Sequence, residues 1–495
     1  MTANIAPASS RMGTGSPIAF MVSALAAAGF AAAPVDKVAP AMPSAAAYRS
    51  IQDAIDGNPG RLVFVPAGDH VIDEAIRITG TGGGLWGPGR IVQGNPDEAI
   101  VEVRDAVRPQ VRDVTLSRAP GREETQQPGL LLLRATDALV DNVQVIDNWT
   151  GSSPIRSEKC TRIVVRHCVV ENYYRVTVED WTKPSGAGVT SGFAYNCING
   201  TAMNFIDVAG ALIEGNRIVE NRLRPTPEIM QKHRLGKFTK KNAVKGPHID
   251  QKSWDAEYWN GWRQGAAIHL GRGLTSDLVQ IIGNLIEHTQ QGIDLHGDHA
   301  VVAMNIVNDA GHGIKAMHGS RNILITNNQF NRCDLFAIGV MPGAASHVAG
   351  RLPSKGPGPV AANIDGHTII SNNIISDFGY GSQAWIWRGN ATSRSPIQLG
   401  GRSPLPDTPP LRNVLISGNV IHDPGPDGIL VAGVVRHEPP RYRYAVRVIV
   451  EEPDSAGGSY VRTPEGLRFA NNLFDPGVDG IANIDLGSGA AGSSR

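Results

Sequence analysis

The sequence is poor in cysteine and in aromatic residues, and it has no excess of charge of either sign. Lys plus Arg and Asp plus Glu both number 46 in 495 residues, so a basic nucleic-acid-binding protein is not expected. The four cysteines form no Cys-x-x-Cys pair, which argues against a zinc cage. We interpret them as small buried hydrophobes. A disulfide between Cys168 and Cys197 stays open as an alternative.

The sequence also lacks a long hydrophobic run. Residues 18–33 are apolar, but this stretch is too short to span a bilayer comfortably, so we predict no membrane span. Ala31-Ala32-Ala33 resembles a small-residue cleavage site and Arg11 lies upstream, which is typical of a secretory signal. We therefore predict that residues 1–44 are a signal peptide and linker, and that the protein is secreted or periplasmic. The alternative is that residues 18–33 form an ordered N-terminal cap.

What the sequence does contain is a repeat. Short alternating strands are separated by a corner asparagine, and Asn284, Asn305 and Asn328 mark successive units of about 20–25 residues. Such a unit cannot bury its apolar face alone and must stack on its neighbours. The pattern predicts a right-handed parallel β-helix, and the abundance of Gly and Pro fits its many turns. The asparagines should turn inward and satisfy backbone groups in stacked left-handed bends.

The start of the repeat region has its own pattern. Ser50–Asp56 predicts a short helix with a capping-box-like Ser50-x-x-Asp53, and residues 61–78 predict a strand, a Pro-Ala-Gly turn and a second strand. This start resembles the N-terminal coil of the pectate-lyase superfamily. The resemblance implies an all-β, single-stranded right-handed parallel β-helix with a short N-terminal capping helix. We place this domain at residues 45–486 and a flexible tail at 487–495.

Several insertions interrupt the repeat. They are predicted at residues 222–262, which is basic and aromatic, and at 342–362, 380–410 and 432–463. Loops on rigid scaffolds often carry recognition, and aromatic rings stack on sugars while Arg grips carboxylates. The residues assigned to substrate binding on this ground are Trp254, Tyr258, Trp259, Trp262, Trp385, Trp387 and Arg388. The alternative is that these aromatics pin the loops to the solenoid.

Titratable residues cluster in residues 292–319, a stretch that otherwise has the pattern of buried strands. Since strand side chains alternate between faces, Asp294 and Lys315 should share an outward column when counted from Gly292 and Gly313. Counting from Gly265 places His269 in the column of His296. His318, Asp298, His299 and Arg321 should lie at the strand ends near this patch, and His312 nearby. The alternative is a solvated face with a surface ion pair.

A second, narrower resemblance covers about 30 residues. The segment "GIDLHGD" at 292–298 is similar to the Tyr-Gly-Phe-Asp-Pro-His-Asp motif of alginate C5-epimerases, whose Asp and His match Asp294 and His296. That family's motif implies a catalytic groove with a cation that neutralises the uronate carboxylate. This chain departs from the motif at Gln291 (Tyr in the family), at Leu295 (Pro) and at His318 (often Arg).

From the cluster and this resemblance we predict an enzyme that abstracts a proton α to a uronate carboxylate of a polysaccharide, as a β-elimination lyase or a C5-epimerase. His296 is the candidate base and Asp294 orients it or Lys315. Lys315, with Arg321 or His318, neutralises the carboxylate. His269, Asp298, His299 and His312 contact the substrate. Lys315 as the base remains an alternative.

Other readings of the same residues stay open. Two nearby carboxylates, Asp294 and Asp298, with Asp309 as a weaker candidate, fit a glycoside hydrolase or a glycosyl-transferring enzyme. A non-catalytic glycan-binding β-helix, such as an adhesin or a tailspike-like protein, would show no perturbed titratable groups in the groove. We predict no metal ligands and no required cofactor, with calcium as an option through Asp294 and Asp298. The sequence does not indicate an oligomeric state.

Overall fold

The structure is a computed structural model, and it describes part of the chain. The described residues are 42–182, 192–224, 226–237, 245, 251–255, 263–271, 276–317, 320–342, 365–382, 394–400, 410–425, 427–453, 459–461 and 463–486. The predicted signal segment at 18–33 and the predicted tail at 487–495 lie outside them.

The N-terminal end of the described chain is a short helical cap. A 3-10 turn at Ala45–Ala47 precedes an α-helix at Ile51–Asp56. The Ser50 side chain accepts a hydrogen bond from the backbone N–H of Asp53, at 3.0 Å. The predicted capping helix and its serine cap are therefore confirmed.

Three ladders of parallel strands follow, and we call them the first, second and third sheets. The 12 strands of the first sheet are Leu62–Phe64, Gly84–Trp86, Gln110–Arg112, Leu139–Asp141, Val164–Arg166, Leu212–Glu214, Gln280–Ile282, Val301–Ala303, Leu324–Thr326, Gly366–Ser371, Arg412–Ser417 and Glu465–Ala470. The second sheet contains Asp69–Ile72, Arg90–Gln93, Thr115–Arg118, Gln144–Ile146, Val169–Glu171, Arg217–Val219, the first halves of Leu285–Leu295 and Ile306–Met317, Gln329–Asn331, Ile374–Ser376, Val420–His422 and Leu473–Phe474. The third sheet contains Ile76–Thr81, Val101–Val107, Leu130–Leu133, Ile155–Glu158, Met203–Ile206, Ala266–Gly271, the second halves of the two long strands, Phe336–Met341, Ile397–Leu399 and Val446–Val448.

Each turn of the chain adds one strand to each sheet, so the architecture is the right-handed parallel β-helix that the repeat predicted. The long strands Leu285–Leu295 and Ile306–Met317 run through the corner between the second and third sheets. They join these two ladders into a single 21-stranded sheet.

Smaller elements decorate the solenoid. The parallel pair Glu124–Thr125 and Trp149–Thr150 and three antiparallel hairpins lie outside the three sheets. The hairpins are Arg175–Asp180 with Ala194–Asn199, Ile429–Val431 with Val434–Arg436, and Glu451–Pro453 with Ser459–Val461. Short helices at Pro227–Lys232 and Gln251–Asp255 lie in the predicted insertion 222–262.

Two of the predicted insertions also contribute strands to the solenoid. Ile397–Leu399 lies within residues 380–410, and Val446–Val448 lies within 432–463. The predicted loop at 342–362 falls almost wholly outside the described residues. Among the helices of the described chain, none is long and apolar enough to cross a membrane.

The core is a stack of aliphatic side chains that alternation turns inward. In Leu130–Leu133 the first and third leucines are buried and the other two are half-buried. The inward column that contains Leu130 continues, coil by coil, through Ile155, Met203, Ile268, Ile293, Ile314, Ile338, Ile397 and Val446, all fully buried. Each such side chain contributes about 1.5–3 kcal/mol by leaving water.

A ladder of buried asparagines fixes the position of one corner in the coils from Asn216 to Asn472. In Asn305 the backbone N–H donates to Oδ1 of Asn328 at 3.0 Å, and the Nδ2 group donates to the same oxygen at 2.9 Å. Its Nδ2 also donates to the Ile281 carbonyl at 2.9 Å. Asn216, Asn284, Asn328, Asn373 and Asn419 repeat this pattern. The inward-turning role predicted for these asparagines is confirmed.

The bends next to these asparagines are left-handed, as predicted. The left-handed residue of each bend is the one before the ladder asparagine, such as Met304 at φ 57° and Asn327 at φ 56°. The ladder asparagine follows that residue and directly precedes the next strand, as Asn305 precedes Ile306–Met317. From this position its side-chain amide bridges neighbouring coils.

The cysteines do not form a disulfide. All four, Cys160, Cys168, Cys197 and Cys333, are free and buried. Cys168 lies in the solenoid core, whereas Cys197 packs with Phe193 and Tyr195 in a separate cluster. The disulfide alternative is wrong because the two thiols belong to different cores, while their interpretation as buried hydrophobes is confirmed.

We expect the substitution Asn305→Ala to destabilise the solenoid by about 2–5 kcal/mol, because it strips acceptors from the buried Asn284 amides and a donor from the Ile281 carbonyl. The control Asn308→Ala removes half-exposed contacts to Glu287 and Asn331 and should cost no more than about 1 kcal/mol. Urea unfolding followed by far-UV circular dichroism measures both. Equal losses would show that the ladder contributes no special stability.

Candidate active site

The outer face of the third sheet carries a continuous column of polar side chains. Register pairs Asn204 with His269, His269 with Asp294, and Asp294 with Lys315. Lys315 is followed in the next coil by Gly339. Since neighbouring strands lie about 4.8 Å apart, these four side chains are stacked at contact distance. The predicted shared column of Asp294 and Lys315 is confirmed.

The predicted register of His269 is wrong by two residues. Ala266 pairs with Gln291 and His269 with Asp294, so Gly265 is not the equivalent of Gly292. His269 nevertheless reaches His296, which follows the strand end. The two rings meet edge to face with centroids 5.2 Å apart.

Asp294 is the centre of the cluster. Its Oδ1 lies 3.0 Å from Nε2 of His296, and its Oδ2 lies 3.1 Å from Nζ of Lys315. The exposed fraction of the side chain is 13% for Asp294, 16% for His296 and 17% for Lys315. They are thus sheltered enough to interact strongly and still reachable from outside.

The surroundings perturb two of these groups. Burial opposes ionisation of Asp294, but the electrostatic attraction of Lys315, and after it that of His296, holds the pKa of that carboxyl well below its usual range. Burial is the main cause that lowers the pKa of His269 to about 4, with Asp294 opposing the shift and His296 and Lys315 adding to it. At neutral pH the cluster therefore holds a carboxylate and a neutral His269.

Asn204 is a site residue that the sequence analysis missed. Its Oδ1 lies 2.9 Å from Nδ1 of His269, so the amide oxygen accepts from an Nδ1–H and leaves the ring's lone pair on Nε2. The alternation of Met203–Ile206, in which the first and third residues are buried, is the signal that turns Asn204 outward. Its partner was hidden because the long insertion before His269 prevents counting across coils.

Glycines border the cluster on both sides. A Cβ at Gly271 would lie 2.8 Å from Cε1 of His269, and a Cβ at Gly339 would lie 2.7 Å from the Phe336 ring. Side chains at these positions would push the ring or the neighbouring strand aside. Because these positions are glycines, no side chain fills the space next to His269 and Lys315.

The remaining predicted residues at the strand ends form a separate network. Arg321 Nε lies 2.6 Å from Asp298 Oδ2, and Asn322 Nδ2 donates to Oδ1 of Asp298 at 2.7 Å. His299 pairs with Asp277 at 3.0 Å. These residues lie in the bend after the strand, in the bridge column of Asp277, Asp298 and Arg321, and their contacts connect them with one another instead of with Lys315.

Other predicted contacts lie further off or outside the described chain. His312 stacks on Phe336 with ring centroids 4.1 Å apart. Trp254 packs against the cluster of Phe193, Tyr195 and Cys197, which matches the alternative that insertion aromatics pin a loop. The residues that lie outside the described ranges are Tyr258, Trp259, Trp262, His318, Trp385, Trp387 and Arg388.

The donor atoms of the cluster do not suit calcium. Calcium takes six to eight oxygen ligands, whereas His269 and His296 offer nitrogen and Asp294 is shared with Lys315. Asp298, the second carboxylate of the calcium option, is engaged by Arg321 and Asn322. Chemically, the arrangement joins an imidazole (His296), a carboxylate (Asp294) and an ammonium group (Lys315).

No protein-family model matches this chain, and no curated protein sequence matches it. Solved structures do match. The Dettilon tailspike protein gp208 is 13% identical, with a TM-score of 0.48, over 87% of this chain and 64% of that chain. The A-module of the Azotobacter vinelandii mannuronan C-5 epimerase AlgE6 is 11% identical, with a TM-score of 0.44, over 90% and 94% of the two chains.

The tailspike protein of E. coli bacteriophage HK620, in complex with a pentasaccharide, is 11% identical with a TM-score of 0.44, over 88% of this chain and 58% of that chain. This chain thus spans less than two thirds of both tailspike chains. The sequence identities and TM-scores of all three matches are too low to transfer a substrate or a reaction to this chain.

We expect His269 to be a neutral imidazole with its proton on Nδ1, because Asn204 accepts that proton. Two-bond proton–nitrogen NMR on histidine-labelled protein at pH 7 should show this tautomer, with the signal identified by its loss in His269→Gln. In Asn204→Leu the signal should shift toward the Nε2–H form. An unchanged tautomer in that variant would contradict the proposed role of Asn204.

Proposed function

We propose that this protein is a carbohydrate-active enzyme that removes the proton α to the carboxylate of a uronate residue in a polysaccharide. The observation that carries the proposal is the ionised Asp294 held between His296 and Lys315 on the outer face of a parallel β-helix. The reaction needs a base and a fixed cation beside it, and this cluster supplies both.

His296 is the proposed base. Its Nε2 faces Asp294 Oδ1 at 3.0 Å, and we assign the C5 proton to Nδ1, the other ring nitrogen. The imidazolium that then forms lies against the Asp294 carboxylate, which stabilises it. Asp294 orients the ring and offsets its new charge, as the carboxylate does in a Ser-His-Asp triad.

Lys315 is the proposed cation for the substrate carboxylate. Removing the C5 proton spreads negative charge onto that carboxylate, and an ammonium already in place lowers the free energy of the enolate-like intermediate. Lys315 lies 3.1 Å from Asp294, so it is held in position before the substrate arrives. Its next-coil neighbour, Gly339, has no side chain to cover it.

We favour β-elimination over epimerisation as the outcome. Epimerisation requires a second group that returns a proton to the opposite face of C5, and the position of the family's tyrosine is occupied by Gln291, which cannot exchange a proton in this pH range. In elimination, His296 first takes the C5 proton and then protonates the departing O4, so one residue serves both steps.

The two alternative functions, a glycoside hydrolase and a non-catalytic glycan-binding protein, have less support. Hydrolysis needs a carboxylic acid with a raised pKa, whereas the pKa of Asp294 is lowered and Asp298 is bound by Arg321 and Asn322. A glycan-binding protein without catalysis predicts no perturbed titratable groups in the groove, whereas His269 and Asp294 are both perturbed. Because polymeric uronates are mainly extracellular, we also propose that the protein acts outside the cytoplasm.

We expect His296→Ala to lower kcat/KM about 10²–10⁴-fold and Lys315→Met about 10²–10³-fold. Wild type and variants would be screened on uronate-rich polysaccharides for an unsaturated product by ultraviolet absorbance. Deuterium incorporation at C5 without chain shortening would reveal an epimerase. New reducing ends without the chromophore would reveal a hydrolase and overturn the proposed chemistry.

The matched control is His422→Ala. His422 pairs with Asp475 at 3.1 Å on the second sheet, so it repeats the His–Asp chemistry away from the cluster. This variant should keep its activity within about two-fold. If His422→Ala and His296→Ala lost activity equally, the assignment of the site to the third sheet would be wrong.

A further inference from the structure

The same cluster has the composition of a metal site. One ligand atom from each of His269, Asp294 and His296 can be chosen so that all three lie within 4.8 Å of one another. Two imidazoles and a carboxylate are a donor set that zinc and related divalent transition metals accept, typically with ligand distances of about 2.0–2.2 Å. Small rotations of the side chains would bring the three atoms onto one ion.

The surroundings of His269 are also those of a metal ligand. A ligating histidine usually donates its other ring N–H to a carbonyl, carboxylate or water, which fixes the tautomer and aims the free lone pair. Asn204 Oδ1, at 2.9 Å from Nδ1 of His269, fills this role. Asn204 comes from the preceding coil, so the solenoid register itself preorganises the ligand.

The positive charge of Lys315 opposes the binding of a metal ion at this cluster. Its ammonium lies 3.1 Å from Oδ2 of Asp294, and a divalent ion bound at Oδ1 would lie close to this positive charge. The ammonium and the ion therefore compete for one carboxylate. The cluster has one state suited to the proposed reaction and another suited to a metal.

We propose that His269, Asp294 and His296 bind one borderline divalent transition-metal ion of the Zn²⁺ class, in competition with Lys315. The bound ion takes up the lone pair of His296 and the charge of Asp294, so it inhibits proton abstraction. The inhibition rests on the proposed function, whereas the binding does not.

The test is isothermal titration of the metal-free full-length protein with zinc chloride, with calcium chloride as the comparison. We expect one saturable Zn²⁺ site that calcium does not fill. Asn204→Leu should weaken binding about 10–100-fold through the ligand it positions, and His269→Ala should weaken it more. Lys315→Met should tighten binding by about ten-fold or more, because the competing charge is gone.

His422→Ala again serves as the control and should bind Zn²⁺ as the wild type does. Thermal melts establish that each variant is folded, and Asn204→Leu keeps the test decisive if His269→Ala does not fold. Unchanged affinity in folded Asn204→Leu or His269→Ala, or weaker binding in Lys315→Met, would overturn the metal site. Saturable binding that follows the expected order supports the site even if no polysaccharide is turned over, a result that would count against the proposed function alone.

Discussion

The structure depends on the in-register stacking of successive coils. The asparagine ladder enforces this register, because each buried amide bridges its own corner to the same corner of the next coil. Residues at equal distances from the ladder must then align: Asp294 stands as far beyond Asn284 as Lys315 stands beyond Asn305. The pairing of Asp294 with Lys315 is a direct consequence of this alignment, since no loop is needed to bring the two side chains together.

The same constraint explains what the sequence could predict. Two ladder asparagines, Asn284 and Asn305, mark the number of residues in one coil. The shared column of Asp294 and Lys315 could therefore be predicted by counting residues. His269 has no such reference, because the insertion that precedes it has no fixed relation to the coil length. Counting from Gly265 placed His269 in the wrong column, and the actual register is set by the pairing of Ala266 with Gln291. The pairing of Asn204 with His269 could not be predicted for the same reason, because the insertion lies between the two residues.

The bends were harder to predict than the strands. Alternation along a strand says which side chains point outward, but it says nothing about where a side chain at a strand end turns. Asp298 and Arg321 were expected at the strand ends, near the patch that contains Asp294 and Lys315. Because successive coils also stack in the bends, these two residues face each other across one coil and form their own ion pair at 2.6 Å. A local partner in the adjacent coil outcompetes a more distant one.

The balance of charge in the cluster explains how one arrangement can favour two uses. Asp294 and Lys315 cancel, and His269 is neutral, so the resting cluster has no large charge to keep desolvated. In the proposed reaction, proton transfer creates an anion on the substrate and a cation on His296. Each arises beside a countercharge already in place, Lys315 for the first and Asp294 for the second, so the separation of charge costs little reorganisation. A metal ion would bring two positive charges to the same carboxylate without creating an anion, and Lys315 would then have no partner of its own. The lysine thus favours the state that accepts a carboxylate substrate over the state that accepts a metal ion.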